Sequence, residues 1–176
     1  MKLQRFQQFI NENYETLETE EPIFLMDGII YLPYEYEFDL DWEYEAPDPS
    51  VGFYGGAGVD NYELIGVSNV YKITDPEKIE EIKTLISDHS ELQTMGFSQS
   101  DLSSTLYNIL GDADQIEVTG EELKEFEKKF IGLFDSNRIK EIDLLGNFDK
   151  IVETFINNVE PPEPDEPDYS DYDDRW

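Results

Sequence analysis

Residues 34–45 decide the fold, and they read Tyr34-Glu35-Tyr36-Glu37-Phe38-Asp39-Leu40-Asp41-Trp42-Glu43-Tyr44-Glu45. Large apolar side chains alternate with carboxylates through the whole stretch. Successive side chains of a β-strand point to opposite faces, so a strand would place six apolar residues on one face and six carboxylates on the other. A helix, with about 3.6 residues per turn, would spread both sets around its surface. The stretch therefore predicts a long strand with one apolar and one acidic face.

The flanking segments extend this prediction to an antiparallel sheet over about residues 22–73. Residues 23–26 and 29–32 are apolar and flank Asp27-Gly28, a dipeptide typical of a tight hairpin turn, although one bulged strand also fits. Residues 46–61, rich in Pro and Gly, predict a loop, and Tyr62–Ile73 predicts the strand that pairs with residues 34–45. Before the sheet, residues 1–13 predict a short amphipathic helix and residues 14–21 a polar hinge.

About four helices are predicted over residues 75–159, because apolar residues recur there at spacings of three and four. They are expected near 75–88, 98–111, 119–134 and 147–159. Their expected capping residues are Asp75 followed by Pro76, Ser98, Thr119 paired with Glu122, and Asn147. The fold class is thus α+β, with a single domain over 22–159 that has a β half (22–73) and a helical half (75–159).

After residue 159 the composition changes to a stretch that is rich in Pro and acidic residues. The sequence of residues 160–176 is EPPEPDEPDYSDYDDRW, in which four prolines oppose a helix and few side chains could be buried. We therefore expect a disordered acidic tail.

The chain of 176 residues carries 42 Asp and Glu against 12 Lys and Arg, a net charge of −30 at pH 7. Nucleic acid and anionic membranes have the same sign of charge, so we expect direct binding to neither. The sequence shows no signal-peptide pattern and no apolar run near the ~20 residues of a spanning helix, so a cytoplasmic location is expected. No Lys or Arg lies between Arg5 and Lys72, whereas the helical half has mixed signs.

The sequence offers little catalytic chemistry. It has no cysteine, and its one histidine, His89, is expected to act as a positive charge at a helix end. The glycines of residues 52–58 lack the Lys-Ser/Thr of a phosphate-binding loop. Residues 135–146 superficially resemble a calcium loop, but Ile139, Lys140 and Gly146 replace required residues. We expect no enzyme activity, no catalytic residue, no cofactor and no specific metal site.

The carboxylates of the alternating strand are the candidate partner-binding residues. They would recur about every 6.8 Å at ~3.4 Å per residue, sparser than the ~1.7 Å per phosphate of duplex DNA, so neighbouring strands and the tail would have to add charge. The candidates are Glu35, Glu37, Asp39, Asp41, Glu43 and Glu45, with Asp165, Asp168, Asp171, Asp173 and Asp174 in the tail. The alternative is that these acids only protect a solvent-facing strand from aggregation.

The first twelve residues, MKLQRFQQFINE, resemble the capsid-targeting segment of proteins packaged into the heads of T-even-type tailed phages. That segment has the form M-K-x-x-x-[FY]-x-x-F-[IL]-x-E, and a prohead protease cuts after its last residue. The resemblance implies an internal head protein with a processing site at Ile10, Asn11 and Glu12, cleaved after Glu12.

Charge and resemblance together lead to two hypotheses. The first is a non-enzymatic phage accessory protein in the host cytoplasm that binds a basic protein through its acidic sheet and tail. In its concrete form, the protein mimics DNA and inhibits a nucleic-acid-binding host defence protein. The second is a packaged protein of the virion head interior, carried there by residues 1–12.

Overall fold

The structure, a computed structural model, describes residues 14–52, 55–92 and 99–161. The strands are β1 (Tyr14–Glu18), β2 (Phe24–Met26), β3 (Ile29–Glu45), β4 (Gly56–Ile73) and β5 (Ile116–Glu117). The helices are α1 (Pro76–Leu92), α2 (Gln99–Asp112), α3 (Gly120–Asp135) and α4 (Phe148–Asn158), with short 3-10 turns at Pro49–Val51 and Ile139–Glu141. The predicted helix over residues 1–13, the predicted cap Ser98 and the tail beyond residue 161 lie outside the described residues.

All five described strands belong to one antiparallel sheet built around β3 and β4. Along one edge, β3 pairs with β4 for almost its whole length, from Ile30 opposite Ile73 to Glu45 opposite Gly56. Along its other edge, β3 pairs with β2 near its start and with β1 further along. The strand order is β1-β3-β4-β5, and β2 shares the edge of β3 with β1. The predicted α+β class and the antiparallel ribbon are confirmed.

Several predicted boundaries are wrong. The segment predicted as a polar hinge contains β1, because Leu17 is buried and the strand forms a ladder with β3. The segment predicted as a loop over 46–61 ends earlier, because the glycines at its end pair with β3 as the start of β4. The sheet also gains β5 from the helical half, so the division into a β half and a helical half is not strict in sequence.

The hairpin between β2 and β3 forms at the predicted dipeptide. Asp27 and Gly28 have φ angles of 54° and 75°, the left-handed conformation that a two-residue hairpin turn requires at both positions. Met26 therefore pairs directly with Ile29. The predicted strand at 29–32 does not stop there: it continues through Pro33 into the alternating stretch and makes β3 a single strand.

Helices cover the sheet on both sides and produce two hydrophobic cores. The first core lies under α3 and α4, and Phe126, Phe130 and Phe148 are its largest helical members. The second core lies under α1 and α2, where Ile82 and Leu106 meet the first part of β3. The sheet is thus the middle of three layers over the part of β3 that begins at Ile29.

The alternation along β3 changes phase where the strand passes from one core to the other. Ile30, Leu32 and Tyr34 pack in or against the second core, whereas Tyr36 and Phe38 belong to the first. Tyr34 therefore departs from the predicted apolar row. The same change occurs on β4, where Val67 and Val70 both belong to the first core although three positions separate them.

Asn69 provides the local geometry for this change. Its φ of 51° lies in the left-handed region, which Asn adopts more readily than most residues. One residue out of the extended conformation is enough to reverse which side the following side chains face. One side of the sheet is therefore covered by α1 and α2 as far as Tyr34 of β3. From Glu35 onward, the same side carries the carboxylates of β3.

Two of the predicted helix caps differ from the structure. Asp75 caps α1 as expected, because its carboxylate accepts a hydrogen bond from the Glu77 N–H at 3.0 Å. Thr119 occupies the cap position of α3 but makes no capping bond. At α4, the Asn147 side chain makes no capping bond either, and the Asp143 carboxylate accepts from the Phe148 N–H at 2.9 Å instead.

Candidate functional site

The candidate site is a row of carboxylates on the side of β3 that faces away from the aromatic core. Leu17 and Tyr36 form one pair across β1 and β3, and the next pair along the strands, Glu18 and Glu35, faces the opposite side. On β4, Glu63 lies opposite Asp39. We call the resulting surface the acidic face. It comprises Glu35, Glu37, Asp39, Asp41 and Glu43 on β3, Glu18 on β1 and Glu63 on β4.

The acidic face is open to solvent. Glu37, Asp41 and Glu43 are exposed, and Glu35 and Asp39 are half-buried. Opposite residues in an antiparallel sheet share a face, with Cβ atoms about 4.5–5.5 Å apart, so Glu18 and Glu63 each place a second carboxylate beside one of β3. Two pairs of like charges thus oppose each other directly.

The ion pairs among the described residues neutralise carboxylates elsewhere. Lys72 binds Glu122, Lys129 binds Asp27, and the remaining ion pairs join neighbours on a helix or turn. Within residues 14–52, 55–92 and 99–161, none of these ion pairs includes a carboxylate of the acidic face. Among the described residues, a side-chain hydrogen bond to the face comes from the Ser68 hydroxyl, which donates to Glu35 at 3.2 Å. The described ion pairs therefore leave the carboxylates of the face unpaired, and Lys150 of α4 lines a neighbouring cleft together with Glu18.

The opposite side of the same strand anchors the face to the core. Tyr36 and Phe38 are fully buried, and the Phe38 ring contacts Phe134 of α3 and Phe155 of α4. Helices α3 and α4 thus cover the part of the predicted apolar face that includes Tyr36 and Phe38. A carboxylate on β3 can move only within the freedom of its own side chain, because its neighbours in sequence are held in the core.

Two β-bulges shape the ribbon beneath the face. The register between β3 and β4 shifts between Glu37 and Phe38, and again between Asp41 and Trp42, each time with one extra residue on β4. A bulge strengthens the right-handed twist of the strands that carry it. The carboxylates of β3 therefore follow a twisted path rather than a flat row.

The remaining predicted site residues lie at the end of β3 or outside the described residues. Glu45 ends β3 opposite Gly56. The five tail aspartates and the predicted processing site at Ile10, Asn11 and Glu12 lie outside the described residues. In the other direction, sequence reasoning missed Glu18 and Glu63. Glu18 could have been found from the alternation Thr16-Leu17-Glu18, which is the period of a strand and not of a hinge.

Neither a cluster of metal-ligating side chains nor a membrane-spanning helix is found among the described residues. Among them, no group of three or more His, Asp or Glu is placed to hold a metal ion. His89 is buried in the last turn of α1, near the position that the sequence predicted for it. No described helix is both long and apolar enough to cross a membrane.

Comparison of the chain with protein families, with curated proteins and with solved structures finds no match.

Proposed function

We propose that the protein acts without catalysis, by binding a positively charged protein through the acidic face, and that its partner is a nucleic-acid-binding protein of a phage-infected host. The observation that carries this proposal is a row of carboxylates outside the described ion pairs, on a strand whose other side is packed in the core. The acidic tail adds long-range attraction for the same partner.

The energetic cost of the face supports a role in binding. Carboxylates that oppose each other across strands repel, and a region without cations destabilises its own fold. Opposite charges on a partner would relieve this repulsion when the complex forms. Complementary charges also speed association and make the affinity fall as salt is added.

The layout favours a partner that otherwise binds DNA. Such proteins present rows of Lys and Arg spaced to meet phosphates. On the acidic face, β1 and β4 contribute carboxylates beside those of β3, which brings the charge density closer to that of a duplex than one strand could. A protein bound here would be blocked from nucleic acid, which is the effect expected of an inhibitor of host defence.

The test uses three forms of the full chain, immobilised and exposed to bacterial lysate. The first is the native sequence. The second carries E35Q, E37Q, D39N, D41N and E43Q. The third is a control that loses the same charge from exposed helical-half acids outside the described ion pairs, through D112N, D114N, E125Q, D135N and E153Q.

The native chain and the control are expected to retain the same basic protein, identified by mass spectrometry, and duplex DNA is expected to displace it. The five-fold face variant is expected to retain little of it, and binding should weaken as salt rises. Equal retention by all three forms, or binding that salt does not affect, would remove the proposal. A retained protein that duplex DNA fails to displace would remove its DNA-mimic form.

A second proposal follows from the phage-like pattern of residues 1–12. A packaged protein would be found in purified virions and would begin at Asn13 after cleavage behind Glu12. Mass spectrometry of virion proteins tests this directly. A chain absent from the particles, or one that still begins at Met1, counts against it.

A further inference from the structure

A cleft lined by three tyrosines lies at one end of the acidic face. It has a volume of about 630 Å³, within the range of roughly 300–1,000 Å³ that is usual for ligand sites. Tyr34 of β3, Tyr71 of β4 and Tyr107 of α2 line it, and we call it the tyrosine cleft. The rings of Tyr34 and Tyr71 meet edge to face, with centroids 5.5 Å apart.

The tyrosine cleft lies where the sheet passes from its helix-covered part to its open part. Tyr34 and Tyr71 pack at the margin of the second core, and Asn69, the residue at the change of phase, also lines the cleft. Tyr107 is 54% exposed although it is large and aromatic. The ring of Tyr107 therefore adds an exposed aromatic surface to the cleft beside the rings of Tyr34 and Tyr71.

Carboxylates line the rest of the cleft. Glu18 and Glu35 belong also to the acidic face, and Glu20 and Glu21 follow β1 in the chain. The lining includes no Lys or Arg, and none of the four carboxylates takes part in an ion pair described for residues 14–52, 55–92 and 99–161. The pKa of Tyr34 is raised by burial first and then by the negative charge of Glu20. Ring faces and negative charge therefore meet in one space.

The combination of tyrosine rings and carboxylates favours one kind of ligand for the cleft. An anion would be repelled, and a neutral apolar group would leave four carboxylates without a counter-charge. A guanidinium group is planar and weakly hydrated, stacks on aromatic rings and pairs with carboxylates through two parallel hydrogen bonds. An ammonium group is more strongly hydrated and lacks the flat surface for stacking.

We propose that the tyrosine cleft binds one arginine side chain of the basic partner and anchors the partner at the end of the acidic face. This inference rests on the proposed function and adds a specific contact to it. Buried aromatic and arginine contacts commonly dominate the binding energy of an interface, whereas exposed charges chiefly affect association rate. The face would attract the partner, and the cleft would fix its position.

The experiment titrates the full chain, labelled with ¹³C in its tyrosine rings, with N-acetyl-arginine amide. The neutral isostere N-acetyl-citrulline amide serves as the matched probe. We expect the arginine probe to shift the signals of Tyr34, Tyr71 and Tyr107 while the Tyr62 signal, at a distant site, stays in place. The citrulline probe should leave all four unchanged. Signals are assigned from single Tyr→Phe variants.

Variants then measure separately how much the aromatic rings and the carboxylates of the cleft contribute to arginine binding. Y107A, at an exposed position, and E20Q/E21Q are each expected to weaken arginine binding by about three- to tenfold. E63Q removes a charge of the acidic face outside the cleft and should change it less than twofold. Equal shifts with citrulline, no shift with arginine, or equal weakening by E63Q and E20Q/E21Q would overturn the proposal.

The two proposals fail in different ways. A cleft that binds the arginine probe in a protein that captures no basic partner supports the cleft and removes the proposed function. Capture of a DNA-displaceable partner that Y107A retains as well as the native chain removes the anchoring role and leaves the acidic face as the binding surface.

Discussion

The Glu127 carboxylate of α3 accepts a hydrogen bond from the backbone N–H of Val67 on β4, with the two atoms 3.1 Å apart. Val67 follows the bulge at Ile65 on β4. One edge of β4 pairs with β3, and along the other edge the one described strand is β5, which pairs further along, at Tyr71 and Lys72. A helix side chain thus supplies the acceptor that a neighbouring strand would otherwise provide.

Removal of that acceptor should destabilise the fold. E127A leaves the Val67 N–H without its partner and is expected to lower the free energy of unfolding by about 1–2 kcal/mol. E127Q keeps an acceptor oxygen and should lose less. Urea unfolding measures both, and E125A, at an exposed position on the same helix, is the control. Equal effects of E127A and E125A would show that the bond does not stabilise β4.

The cap of α4 is expected to depend on Asp143 and not on Asn147. Asp143 accepts from the N–H groups of Gly146 at 3.0 Å and Phe148 at 2.9 Å, whereas Asn147 makes no capping bond. D143A should therefore lower the free energy of unfolding by about 1–2 kcal/mol, and N147A by less than about 0.5 kcal/mol. Thermal or urea unfolding of the two variants decides the order. A larger decrease in the free energy of unfolding for N147A than for D143A would show that Asn147, as predicted from the sequence, is the cap.

The Tyr36 hydroxyl should make stability fall at high pH. It is buried, donates to the Pro33 carbonyl at 3.1 Å, and burial, followed by the charge of Asp143, raises its pKa well above 10.0. A raised pKa in the folded state means that the unfolded chain loses its proton first. The contribution of Tyr36 is therefore complete below pH 10 and declines as the pH rises above that value.

Comparison with Y36F isolates this effect from the other tyrosines. The stability of the native chain relative to Y36F should decrease by about 1.4 kcal/mol between about pH 8 and pH 11, one unit above the unfolded pKa. Urea unfolding at both pH values gives the difference. A constant difference would mean that Tyr36 ionises in the folded protein as easily as in the unfolded chain.

Relief of repulsion on the acidic face should stabilise the fold at low salt. Glu63 lies directly opposite Asp39, so E63Q is expected to raise the free energy of unfolding by about 0.2–1 kcal/mol. The gain should shrink near 1 M NaCl, where the screening length falls to about 3 Å. Unfolding of E63Q and of E153Q, which alters an exposed acid of α4, is measured at both salt concentrations. An equal gain in both variants would show that overall charge, and not the opposed pair, determines the effect.

Local patterns were sufficient to predict much of the fold. The alternation after Tyr34 predicted the long strand, Asp27-Gly28 predicted its hairpin, and the apolar spacings predicted the four described helices to within a few residues. These features depend on interactions between near neighbours in the chain. The sequence also separated the acidic side of β3 from its buried side, which is the basis of the candidate site.

Features that depend on distant partners were not predicted. The alternation in β1 indicates a strand but not that it pairs with β3, and Glu63 joins the acidic face only because bulges set the register of β4. Asp143 reaches the start of α4 across a turn, so the nearer Asn147 was the natural choice of cap. The tyrosine cleft needs α2 to lie next to β3 and β4, and no spacing in the sequence predicts that contact.

The left-handed backbone conformation of Asn69 has a consequence for how the length of the β3–β4 ribbon could change in evolution. On the side of α1 and α2, it separates a portion of the ribbon that packs against these helices from a portion that none of the described helices covers. Insertions of residue pairs beyond Asp41, matched on β4, would lengthen the charged portion without disturbing the packing of α1 and α2. The length of the charged part of the ribbon could therefore change to suit a larger or smaller partner while the packing of α1 and α2 stays the same.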